Sequence, residues 1–167
     1  MKVKKVTGGN KWKQELGKLT GMNIGFKVGI LDGATYENGT SVAYVAYLNE
    51  YGYPVKGHNP PRPFMGRTIE LNGKKWMAII KHNLKGKRFS RDAALKAYNA
   101  AGQVARTDMM NTIKEWPDSD PRGNKESTIK RKEKRGRSGK NLEAIDPNKA
   151  LMDTSHMLKS INFEVIG

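Results

Sequence analysis

Between Ser90 and Pro117 the apolar residues Leu95, Tyr98, Ala101, Ala105, Met109, Ile113 and Trp116 recur every three or four positions, the spacing that lines one face of an α-helix. Ser90 is a good N-cap, and Asp92 places an anion in the first turn. Pro117 ends the run, because proline lacks the backbone donor a helix needs and constrains the residue before it. A helix of about 26 residues spans about 40 Å, the full width of a small domain. The alanines in the middle of the stripe let another element approach closely. A chain of 167 residues is long enough to wrap one core around such a helix, so residues 1–167 read as a single domain.

Two segments far apart in the chain have the other periodicity. Ile24, Phe26, Val28 and Ile30 alternate with Gly25, Lys27 and Gly29, and near the end Ile161, Phe163 and Val165 alternate with Asn162 and Glu164. Period two puts each apolar set on one face of a strand. Asp32-Gly33 and Glu37-Asn38-Gly39 mark a turn after the first strand, since these pairs tolerate positive φ. Trp12, Leu16 and Leu19 followed by Gly21 predict a short helix at the start. The fold class is therefore α+β. A small antiparallel sheet is packed by one long helix and one or two shorter ones.

Residues 42–51 read as a short helix capped by Ser41 and stopped by Gly52, although VAYVAYL suits a strand almost equally on propensity. Pro54, Pro60, Pro61 and Pro63 exclude regular hydrogen-bonded structure up to Phe64. From there Phe64, Thr68, Leu71, Trp76 and Ile79-Ile80 predict another helix to about Leu84, weakened at Gly73. Pro61-Arg62-Pro63-Phe64 is either a rigid turn that delivers this helix or an anchor for a partner, because proline lowers the entropy lost on docking.

After Pro117 large apolar residues almost vanish, and residues 122–140 hold nine cations against Glu126 and Glu133. This composition predicts an extended basic arm or loop over 118–149, with a helical turn or two near Ser127. The formal charge is +15 from 31 Lys and Arg against 16 Asp and Glu, and it calls for something acidic nearby. Lys130, Arg131, Lys132, Lys134, Arg135, Arg137 and Lys140 are the candidate contacts to DNA or to an acidic partner. The bland alternative is a solvated loop.

Little in the chain points to chemistry. It has no cysteine, and His58, His82 and His156 lack the spacing of a metal site. No serine stands on a nucleophile turn, Gly8-Gly9 introduces no phosphate loop, and Asp118 and Asp120 lie in a linker. The expectation is no enzyme, no catalytic residues, no metal and no cofactor. No long apolar run predicts a membrane span or a secretion signal.

The order of these motifs resembles the neck or tail-completion proteins of long-tailed bacteriophages. The likeness rests on the early strand, the Ala-Tyr-rich segment ending in Gly52 and the Pro60-Pro61-Arg62-Pro63-Phe64-Met65 run that opens a helix. It rests also on the pattern Leu151, Asp153-Thr154, Leu158, Ser160-Ile161 before the last strand. One departure is Ser155, where the family pattern carries glycine. If φ is positive there, Ser155 is strained. The long basic insertion is a second departure.

The resemblance implies a non-enzymatic virion protein of the neck or tail top, made in the bacterial host cytoplasm. It would assemble as a homo-oligomeric ring of six that completes the tail or joins it to the filled head, beside neighbouring connector and tail proteins, around a channel for genomic DNA. A tail terminator capping the tube is the alternative within that class, and a basic, non-specific DNA-binding protein is the alternative outside it. Tyr44, Tyr47, Arg62, Phe64, Met65, Leu158 and Phe163 are the candidate subunit or partner contacts.

Overall fold

The computed structural model describes residues 23–31, 33–53, 55, 60–86, 90–117, 122–137, 146–152 and 155–167. The expected helix over 12–19, His58, Asp118, Asp120, the Asp153-Thr154 pair of the last motif and Lys140 lie outside them. The elements run β1 (Gly25–Ile30), α1 (Val42–Tyr51), α2 (Phe64–Leu84), α3 (Arg91–Lys114), α4 (Glu126–Arg137), α5 (His156–Lys159) and β2 (Ile161–Ile166). This is an α+β fold with one two-stranded antiparallel sheet.

The sheet joins the two ends of the described chain. Phe26 stands opposite Val165, Val28 opposite Phe163 and Ile30 opposite Ile161, so the apolar faces of the two alternating segments coincide, as antiparallel register with period two requires. Behind β1 the chain turns at 36–40, where Tyr36 N–H donates to the Thr40 carbonyl at 2.9 Å.

Helix α3 is the spine. The Ser90 hydroxyl accepts from Ala93 N–H at 3.2 Å, the expected N-cap. Its buried side is Ala94, Ala97, Ala101, Gly102, Ala105, Met109 and Ile113, continued by Trp116. Leu95 and Tyr98 are only half-buried, so in the first half the centre of the stripe sits one residue earlier than the larger side chains indicate. The reason is close packing: small residues face neighbouring elements, and the bulky ones fill the edges. At Gly102 the approach is closest, since a Cβ there would lie 2.3 Å from Cδ2 of Phe163.

Two apolar clusters lie along this spine. One gathers Ile24, Trp76, Ile80 and Leu84 against the alanines of α3, with the Phe26 ring edge-on to Trp76 at 6.1 Å between centroids. The other holds Val42, Ala46, Phe64, Met109, Ile113, Trp116, Leu151, Met157, Leu158 and Ile161. Helices α2 and α3 are also tied by Asp108, which accepts from Trp76 Nε1 at 2.7 Å and pairs with Lys75 Nζ at 2.6 Å.

The basic stretch departs from the expected loop. Residues 126–137 form α4, because Glu, Lys and Arg are strong helix formers and the Glu126–Lys130 pair, at 2.6 Å, adds an i,i+4 contact.

Candidate interaction surfaces

Helix α1 begins where Ser41 accepts from Tyr44 N–H at 3.3 Å and ends at Gly52, whose φ is 83°. Val42 and Ala46 turn into the core, which leaves Tyr44, Tyr47 and Tyr51 on the opposite face, 54%, 56% and 68% exposed. Tyr47 and Tyr51 stack with centroids 4.9 Å apart. The helical alternative at 42–51 is the one realised, and Tyr44 and Tyr47 stand where a partner can reach them. Tyr51, which sequence patterning does not single out, completes the row.

Three of the expected contact residues have no surface to offer. Phe64 is fully buried, Leu158 is buried, and Arg62 is 4% exposed. For Arg62 and Phe64 this corrects the reading of PRPF as an anchor, because the prolines deliver Phe64 into the core and Arg62 beneath the following segment; Leu158 is instead turned into the core cluster by α5. Arg62 Nε donates to the Arg122 carbonyl and Nη2 to the Gly123 carbonyl, the latter at 2.9 Å. Met65 is half-buried against the core, and half-buried Phe163 packs over Gly102.

Glu50 explains how α2 starts. Pro63, at the N-cap position, has no side chain able to cap, yet Met65 N–H and Gly66 N–H donate to the two Glu50 carboxylate oxygens at 2.8 and 2.9 Å. A residue of the preceding helix thus satisfies two donors that every helix start leaves open, and its charge suits the helix dipole. At Gly66 a Cβ would lie 3.3 Å from that carboxylate, so the missing side chain admits the contact.

The basic helix sits beside this corner. Lys132 Nζ donates to the carbonyls of Lys149 at 2.8 Å and Met152 at 2.5 Å, and Asn124 Nδ2 donates to the Pro147 carbonyl at 2.9 Å. Lys132 and Arg135 are half-buried, whereas Lys130, Arg131 and Lys134 are exposed. The side chain of Arg137 lies outside the described residues, like Lys140. A pocket of about 260 Å³ separates the helix from the body, lined by Asn49, Arg62, Asn124, Arg131, Lys132 and His156 among others. Its rim is cationic and amide-rich, without a carboxylate.

Among the described residues no cluster of His, Asp or Glu is arranged to hold a metal ion, and no helix is long and apolar enough to cross a membrane. No protein-family model, curated protein or solved structure matches the chain. Fold and surfaces together define an α+β domain with a tyrosine face on one helix and a cationic face on another.

Proposed function

We propose that this chain is a structural protein of a bacteriophage virion, acting in the neck or at the tail top to complete the tail or join it to the head. Subunits assemble as a ring, with six copies as the expected number, around the path of the genome. The observation that carries this reading is Ser155, which adopts φ 55°, ψ 2° where the resembled pattern has glycine. A left-handed backbone at this position is one that glycine adopts without cost, which supports the resemblance.

Two further features support it. The segments that carry the resemblance meet at one corner: Glu50 starts the helix opened by Phe64, and Phe64, Leu151, Leu158 and Ile161 share one cluster. The tyrosine row of α1 supplies the large, amphipathic, low-entropy contact area favoured between subunits. Neighbouring copies and connector or tail proteins are its partners, and the protein needs no cofactor and carries out no catalysis. The charge of +15 also favours a second reading, a basic protein that binds DNA without sequence preference.

Native mass measurement of the purified chain, alone and with tail tubes, separates the two. A closed oligomer or a stoichiometric complex with tubes, lost on Tyr44→Ala with Tyr47→Ala, supports the virion reading. A monomer that ignores tubes and binds duplex DNA rejects it.

A further inference from the structure

We infer that the basic helix divides its cations between two tasks: Lys132 fastens the helix to the body, while Arg131 and Lys134 contact the phosphate backbone of double-stranded DNA. The inference rests on the proposed placement beside the genome path and deepens it, because the five described candidate cations of α4 look equivalent in sequence and are separated by their surroundings.

The inward role follows from geometry. Lys132 spends donors on the carbonyls of Lys149 and Met152, and buried Arg62 holds the turn before the helix through the carbonyls of Arg122 and Gly123. A cation committed to carbonyl oxygens is poorly placed to neutralise a phosphate. Arg135 is half-buried and has its own partner.

The outward role follows from the helical turn. At 3.6 residues per turn, Arg131 and Lys134 lie on one edge with Ser127, while Glu126 and Glu133 fall together on the other side. Both cations are exposed, Arg131 also bordering the pocket beside the body, and neither makes an ion pair among the described residues. Lys130 lies between the two edges and is engaged by Glu126. The acidic residues are thereby kept away from the cationic edge, the arrangement a polyanion requires.

The chemistry of the face chooses the polyanion. Ile129 is the helix's sole large apolar residue and is half-buried, so there is no apolar face to enter a lipid headgroup layer. No aromatic stands on α4 to stack an unpaired base. A short row of rigidly spaced cations without base-reading partners suits the duplex backbone, whose affinity comes from counterion release.

The test is the salt dependence of binding to a random-sequence DNA duplex by the full chain. The intact protein should bind with a steep log–log slope. Arg131→Gln with Lys134→Gln should reduce that slope by about two, close to one for each phosphate no longer neutralised. Lys132→Met should leave the slope unchanged while amide exchange in residues 126–137 speeds up. The inference is overturned if the double variant keeps the full slope or if Lys132→Met lowers it by about one, the share of one phosphate contact. It is also overturned if the chain prefers poly-glutamate to DNA. Native mass measurement of the same proteins keeps the two ideas apart. A ring whose DNA slope ignores Arg131 and Lys134 sinks only the division of cations; a monomer whose slope obeys it sinks only the ring.

Discussion

The domain around α3 and the segment carrying α4 are held by different forces. Along α3 the contacts are apolar and tight, from Ala94 to Trp116, and Phe163 sits on the bare backbone of Gly102. None of the described side chains of α4 is buried. Its segment is fastened by Arg62, Asn124 and Lys132 to backbone carbonyls across a cationic pocket. Contiguous apolar burial makes a region open cooperatively, whereas a few polar ties give a region its own lower opening free energy. The contrast predicts a firm body and a basic edge that opens more readily than the body does.

The largest effect should come from the body. Phe64 is fully buried where α1, α2 and α3 meet, and Phe64→Ala should cost about 3–5 kcal/mol from forfeited transfer energy and the cavity left behind. Denaturant unfolding should show an earlier midpoint, with body and helix content disappearing together. An unchanged midpoint would remove the contrast, since the body would then not depend on its apolar centre.

Arg62→Met asks the opposite question. It deletes the charged donors to Arg122 and Gly123 while keeping an apolar stem, at a cost of about 2 kcal/mol. The loss should appear locally, as exchange about 30-fold faster across 122–137, with the global midpoint moving much less than for Phe64→Ala. Equal shifts in both variants would show that the two regions unfold as one. Glu50→Ala falls between these cases, because it removes a polar tie inside the body. Two helix-start donors would then turn to water, and about 1–2 kcal/mol of stability should disappear from the unfolding curve.

These variants also separate what the sequence could reveal from what it could not. The strand pair, the Ser41 and Ser90 caps and the ends of α2 and α3 follow from spacing and turn chemistry within a few residues, and they stand where those signals place them. Leu95 and Tyr98 misled because size marks a stripe more visibly than the small residues that allow close approach. Arg62 and Phe64 misled because a proline-bounded Arg-Phe pair reads alike whether it faces a partner or the interior. Glu50 and Lys132 act over 15 and 17–20 residues, and their partners are backbone atoms, which leave no mark in side-chain patterns. For α4, the scarcity of apolar residues pointed to a loop, although its Glu, Lys and Arg content already favoured a helix. The tyrosine row was visible in part, since Tyr44 and Tyr47 stand out in the sequence without the face they share with Tyr51.

The smallest expected effect is a gain. Ser155 is buried and left-handed, and its hydroxyl makes no capping bond to α5. A residue with a Cβ pays about 1–2 kcal/mol for that backbone, while glycine loses about 0.4–1 kcal/mol through the greater freedom of its unfolded chain. Ser155→Gly should therefore raise stability by about 1 kcal/mol, read as a later thermal midpoint. Asn23 also has positive φ, 49°, but it is exposed and asparagine tolerates this region, so Asn23→Gly should gain less. A larger gain at Asn23 than at Ser155, or a loss at Ser155, would show that the serine hydroxyl supports the turn. The strain would then lie elsewhere, and the turn would no longer argue that the last motif is built around a glycine-like corner.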